Sequence, residues 1–76
     1  DPLGRFIRER CELARDARVP KEEFRNALVA WWQGEVGDYC ITPRRLNEEM
    51  ARRGFKEGRL RQEDGRLRVW EGLRLR

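Results

Sequence analysis

Residues 42–76 read TPRRLNEEMARRGFKEGRLRQEDGRLRVWEGLRLR, and this stretch decides the fold. Thr42 before Pro43 is a helix start, because the threonine hydroxyl can accept an amide that the first turn leaves orphaned and proline lacks only a proton that turn does not use. Leu46 and Met50 then fall on one face, and Gly54 supplies the stop. Beyond it, residues 55–61 and 67–75 mix apolar and charged positions on either side of Asp64-Gly65, a dipeptide favoured in two-residue type I′ hairpin loops. The pattern predicts a short helix that runs straight into a basic hairpin. With Asp64-Gly65 as the loop, Leu60 is expected opposite Val69 and Arg61 opposite Arg68. Leu60, Leu67, Val69, Leu73 and Leu75 then share a face toward the rest of the chain, while Arg59, Arg61, Arg66 and Arg68 face outward or line the tip. Gly72 is expected to mark a bulge.

Upstream, Asp1 and Pro2 repeat the cap-and-proline start, and Leu3, Phe6, Ile7 and Cys11 keep the i, i+3, i+4, i+8 spacing of one helical stripe. This first helix is expected to fade near Ala14. Residues 15–18 read as a polar connection, and Val19 must be extended because the following Pro20 disfavours the α region, so a very short strand is expected at Arg18-Val19. From Lys21 the residues Phe24, Ala27, Leu28, Trp31 and Trp32 again keep helical spacing, with Glu22 and Glu23 suited to the positive end of the helix dipole. Gly34 and Gly37 are expected to end that helix. Trp31, in register with Phe24 and Leu28, belongs to the core. Trp70 has two readings, an exposed stacking residue or a plug that closes the core.

The expected class is therefore α+β, three helices packed on a C-terminal two-stranded hairpin with at most one very short extra strand. A helix followed at once by a basic hairpin is the layout of a winged helix-turn-helix, in which the helix enters the DNA major groove and the hairpin reaches for flanking phosphates.

Charge is distributed unevenly enough to support that layout. The chain of 76 residues carries +4 overall, yet residues 42–76 hold eleven basic side chains against six acidic ones, whereas residues 1–41 hold seven against eight. A polyanion is thus met with one half of the molecule. A GC-rich code explains the choice of 16 arginines over 2 lysines but does not explain where the excess sits. On the helix after Thr42, Arg44, Arg45, Asn47 and Arg52 lie on or beside the outer face. Arginine can bridge guanine O6 and N7, and asparagine can bridge adenine N6 and N7, so Arg44, Arg45 and Asn47 suit base contact. Arg59, Arg61, Arg66 and Arg68 suit phosphates.

Other classes find little in the composition. There is no histidine and no serine, and two cysteines, Cys11 and Cys40, fall short of a zinc set. Both read as reduced thiols serving as small apolar side chains. Paired acids such as Glu22-Glu23 and Glu48-Glu49 are neighbours on helices, so their carboxylates diverge instead of converging on a site. No catalytic residue, metal or cofactor is expected. No run approaches the roughly 20 apolar residues of a membrane span, so the chain is expected to be soluble and cytoplasmic without a membrane partner. A start at Asp1-Pro2 without methionine reads as a piece of something longer.

Several segments together resemble a family. Val19-Pro20, then Phe24, Leu28 and Trp31, then Leu46, Met50 and the RRGF turn at residues 52–55, and finally VWEGLRLR at residues 69–76 look like the C-terminal domain of phage and plasmid DNA primase-helicases. The likeness covers nearly the whole chain and departs from the family at Trp32 and Gly34. It implies a winged helix that follows a superfamily-three helicase motor and binds duplex or forked DNA at replication initiation, with that motor as its partner. It carries over no catalytic residue, since the Walker motifs and primase carboxylates lie outside this sequence. Two further readings are a protein-interaction module of the same machine and a stand-alone transcriptional regulator.

Overall fold

Local signals place all three helices in the computed structural model, which describes residues 1–76. Helix α1 spans Pro2–Arg10 and α2 spans Lys21–Glu35. Helix α3 spans Pro43–Arg52, and its cap forms as expected, with Thr42 Oγ1 accepting the Arg45 amide at 3.2 Å. Gly54 stops it at φ +91°, a conformation in which only glycine avoids a steric penalty. Helix α2 runs through Gly34, which was expected to end it, and breaks only at Val36.

The strands depart furthest from the expected layout. The sheet has three of them, β1 (Cys11–Pro20), β2 (Lys56–Gln62) and β3 (Gly65–Leu75), in the order β1-β3-β2 with both pairings antiparallel. The extra strand is ten residues long, not two. It begins where the first helix was expected to continue, because Cys11, Glu12 and Leu13 find ladder partners in Leu75, Arg74 and Leu73. A long-range pairing here overrides a helical period that Cys11 also happened to satisfy. The chain order is α1-β1-α2-α3-β2-β3.

Gly72 sits at the irregularity that reconciles the two halves of β1 with β3. Arg18, Val19 and Pro20 pair with Glu71, Trp70 and Val69, so residues 14–17 of β1 face a single residue of β3, Gly72, at φ +98°. The bulge exchanges faces: Trp70 before it and Leu73 after it both enter the helix-facing core. Gly72→Ala is expected to destabilise the domain by about 1–2 kcal/mol, the cost of a left-handed residue with a Cβ. Space is not the cause, since an added methyl would meet only Phe55 Cδ1 at 3.7 Å. Thermal melting checks this, and an unchanged midpoint would show that the offset does not depend on that backbone conformation.

The hairpin turns one residue earlier than Asp64-Gly65 suggests. Gln62 pairs with Gly65 across a Glu63-Asp64 loop. No residue other than glycine has a positive φ, so Glu63 and Asp64 cannot form the type I′ loop, which needs positive φ at both central positions, and Gly65 takes the positive angle instead. Leu60 therefore opposes Leu67, Arg61 opposes Arg66 and Arg59 opposes Arg68. A slip of two preserves which residues share a face, and the face that turns inward is instead the one that buries Trp70. Arg59, Arg61, Arg66 and Arg68 lie on the side of Trp70, the helix-facing side, whereas Leu60, Leu67 and Val69 lie on the reverse.

One core of twelve buried residues joins the elements. Leu3, Phe6 and Ile7 from α1 meet Phe24, Leu28 and Trp31 from α2, Leu46 and Met50 from α3, and Cys11, Val19, Trp70 and Leu73 from the sheet. Phe6 stands edge-on to both Phe24 and Trp31 at 5.5 Å between ring centroids, an arrangement that aligns ring edge with ring face. Trp31 is core, as its register requires. Trp70 is core as well, at 1 % exposure, which settles its two readings against stacking on a ligand. Cys11 and Cys40 are free thiols, and burial pushes the Cys11 thiol up to about 11, so it stays protonated at neutral pH. No helix is long and apolar enough to cross a membrane.

Candidate nucleic-acid interface

The outer face of α3 carries its cations beside its own glutamates. Arg44, with 92 % of its side chain exposed, lies 3.8 Å from Glu48, and Arg45 lies 3.6 Å from Glu49 one step along. Arg52 reaches the same Glu49 at 3.1 Å. Arg53 binds Glu49 at 2.9 Å and also Asp1 at 2.5 Å, tying the end of α3 to the start of α1. The bond from Arg53 holds the Glu49 carboxyl below its ordinary range, against a partly opposing effect of burial, and Arg52 and Arg45 add to it. The Arg44–Glu48 pair is exposed and contributes little stability, so Arg44 can exchange its glutamate for a phosphate at small cost.

The hairpin arginines have no such partners. Arg59, Arg61, Arg66 and Arg68 are all exposed, and none lies within ion-pairing distance of a carboxylate. Their register places them in two directly opposed pairs on one face of the ribbon, Arg59 against Arg68 and Arg61 against Arg66. Like charges directly opposed across a ladder destabilise it, so the hairpin holds a repulsion that an anion laid across it would relieve.

Between helix and hairpin stands a residue that the sequence reading passed over. Lys21, at the first position of α2, has only 15 % of its side chain exposed. Its ammonium donates to Glu57 of β2 and to Asn47 Oδ1 of α3 at 3.2 Å, and it lies 4.3 Å above the Trp70 ring of β3. Lys21 thus fastens the base of the hairpin to α3, and its bond holds the Glu57 carboxyl below the ordinary range, with smaller contributions from Arg68 and Arg59. One signal was present in the sequence. A lysine in the first turn runs against the helix dipole and asks for a compensating partner.

The structure therefore gathers Asn47 with Lys21, and Arg44, Arg45 and Arg52 on the exposed face of α3, while the four hairpin arginines form a group of their own. No three Cys, Asp or Glu side chains converge as metal ligands. No protein-family model matches the chain, and no similar curated protein or solved structure is found.

Proposed function

We propose that this chain is a non-catalytic DNA-binding winged helix, acting in the cytoplasm as a module of a phage or plasmid primase-helicase and meeting origin or fork DNA through α3 and the β2–β3 hairpin. Support for the fold comes from the chain order and from β1, which pairs with β3 only from Val69 onward and so leaves residues 59–68 of the hairpin to project as a wing. The observation that carries the function is the set of four unpaired arginines in two opposed pairs on one face of that wing. The replication context rests on the segment resemblance alone, as does an upstream helicase motor as partner.

The reading is tested by titrating duplex, single-stranded and forked DNA at several salt concentrations. Contact with about five phosphates predicts that log K falls against log salt with a slope near −4 to −5 on duplex. Binding is expected to be micromolar or weaker and tolerant of sequence, in keeping with a phosphate-dominated grip. A flat salt dependence would displace this reading in favour of a protein-interaction module. One feature favours that second reading: an open groove of about 370 Å³ lined by Phe6, Ala27, Trp31 and Leu75 together with Arg10 and Arg76.

A further inference from the structure

A second cleft, of about 250 Å³, opens between α2 and α3 beside Trp70. Pro43, Leu46 and Trp70 contribute apolar wall, and Arg25 and Asn47 contribute hydrogen-bond donors. Arg25 is half-buried and joins no ion pair. Its Nη1 is fully buried and has no acceptor. A guanidinium nitrogen withdrawn from water without a partner is unfavourable, and most such groups in native proteins are satisfied by something. Glu22 lines the same cleft but forms no ion pair with Arg25. Glu57 is already taken by Lys21.

Asn47 completes the donor set. Its Oδ1 accepts from Lys21, which fixes the amide and leaves Nδ2 as a donor. A fixed amide donor and a planar guanidinium fork on one small cleft match the oxygens of a phosphate group, for which arginine is the preferred side chain. We infer that this cleft binds a phosphate through Arg25 and Asn47, a site distinct from the wing arginines; it rests on the DNA-binding reading in taking that phosphate to be a backbone phosphodiester. Asn47 then positions the duplex instead of reading adenine, and Lys21 is a positioning residue that aims it.

Two arms test the site. In the first, inorganic phosphate is titrated into the chain at constant ionic strength with chloride as the control, and the Arg25 Nε–H and Asn47 Nδ2 resonances are followed by NMR. Saturable shifts with phosphate alone, absent in Arg25→Gln, are expected; shifts that are equal in chloride, or none at all, would overturn the site. In the second arm, Arg25→Gln is expected to make the duplex salt slope shallower by about 0.9, while Asn47→Ala, which removes a neutral donor, is expected to weaken binding with the slope unchanged, each equally on all sequences. An unchanged slope in Arg25→Gln, or an unchanged affinity in Asn47→Ala, would reject the phosphodiester, and a loss confined to adenine-bearing sites in Asn47→Ala would return that residue to base reading. Should Arg25→Gln melt far below the parent, the exposed Asn47→Ala variant decides alone. If the parent chain fails to bind DNA at any salt, the proposed function falls while the phosphate titration still judges the cleft.

Discussion

Trp70→Ala is expected to leave the domain mostly unfolded near room temperature. The ring is 1 % exposed and is shared by sheet and helices, with Val19 opposite it on β1 and the Lys21 ammonium above its face. Truncating a buried aromatic of this size costs about 3–5 kcal/mol, because the transfer energy is lost and a cavity remains. At roughly 0.05–0.15 kcal/mol per residue, a domain of this length has a total stability of about 4–11 kcal/mol. The loss therefore consumes much or all of it. Lys21 would also lose the ring beneath it, leaving a mostly buried ammonium with only Glu57 and Asn47. Melting followed by far-UV circular dichroism measures the effect, at about 4–8 °C per kcal/mol for so small a domain. A variant melting within a few degrees of the parent would remove Trp70 from the core and undo the face assignment of the whole hairpin.

Replacing Arg59, Arg61, Arg66 and Arg68 together with glutamine is expected to weaken DNA binding more than any other surface change. Each lost phosphate contact makes the salt slope shallower by about 0.9, so four contacts remove about 3.6. The loss should be alike on every sequence, since phosphates carry no base identity. The same variant should melt no lower than the parent and is expected to melt somewhat higher, because two opposed like-charge pairs leave the ladder. Weaker binding with undiminished stability marks these arginines as functional. Arg44→Ala with Arg45→Ala makes the contrasting case: a base-reading α3 would lose about 1–3 kcal/mol for each bidentate contact and any preference among sequences. Equal and sequence-independent losses from both sets would describe a purely electrostatic binder. If neither set changes binding in folded variants, these exposed arginines serve a protein partner.

The helices were legible because every signal that makes them lies within a few residues. Thr42 and Gly54 bound α3, and the spacing of Phe24, Leu28 and Trp31 marks the buried side of α2 without reference to anything else in the chain. The basic hairpin and its arginine content were legible for the same reason. Its register was not, because Asp64-Gly65 fits a type I′ loop as a dipeptide, whereas the backbone places positive φ on Gly65 alone. The cleft at Arg25 and the junction at Lys21 gave almost no local sign, being made by residues that meet only when α2, α3 and the hairpin pack.

By itself, then, the sequence determined three helices, the Thr42 cap of α3, most of the core and a C-terminal arginine-rich ribbon. Tertiary structure alone decided that residues 11–20 form a strand, that the bulge at Gly72 turns Trp70 and Leu73 to the same side, and that the arginines share the helix-facing side of the ribbon. The physical reason is the range of the interactions. Helical hydrogen bonds close over four residues and reward a local pattern, whereas Cys11 finds Leu75 only after nearly the whole chain has been folded between them, and whichever face then buries the largest ring sets the orientation of every side chain on the ribbon.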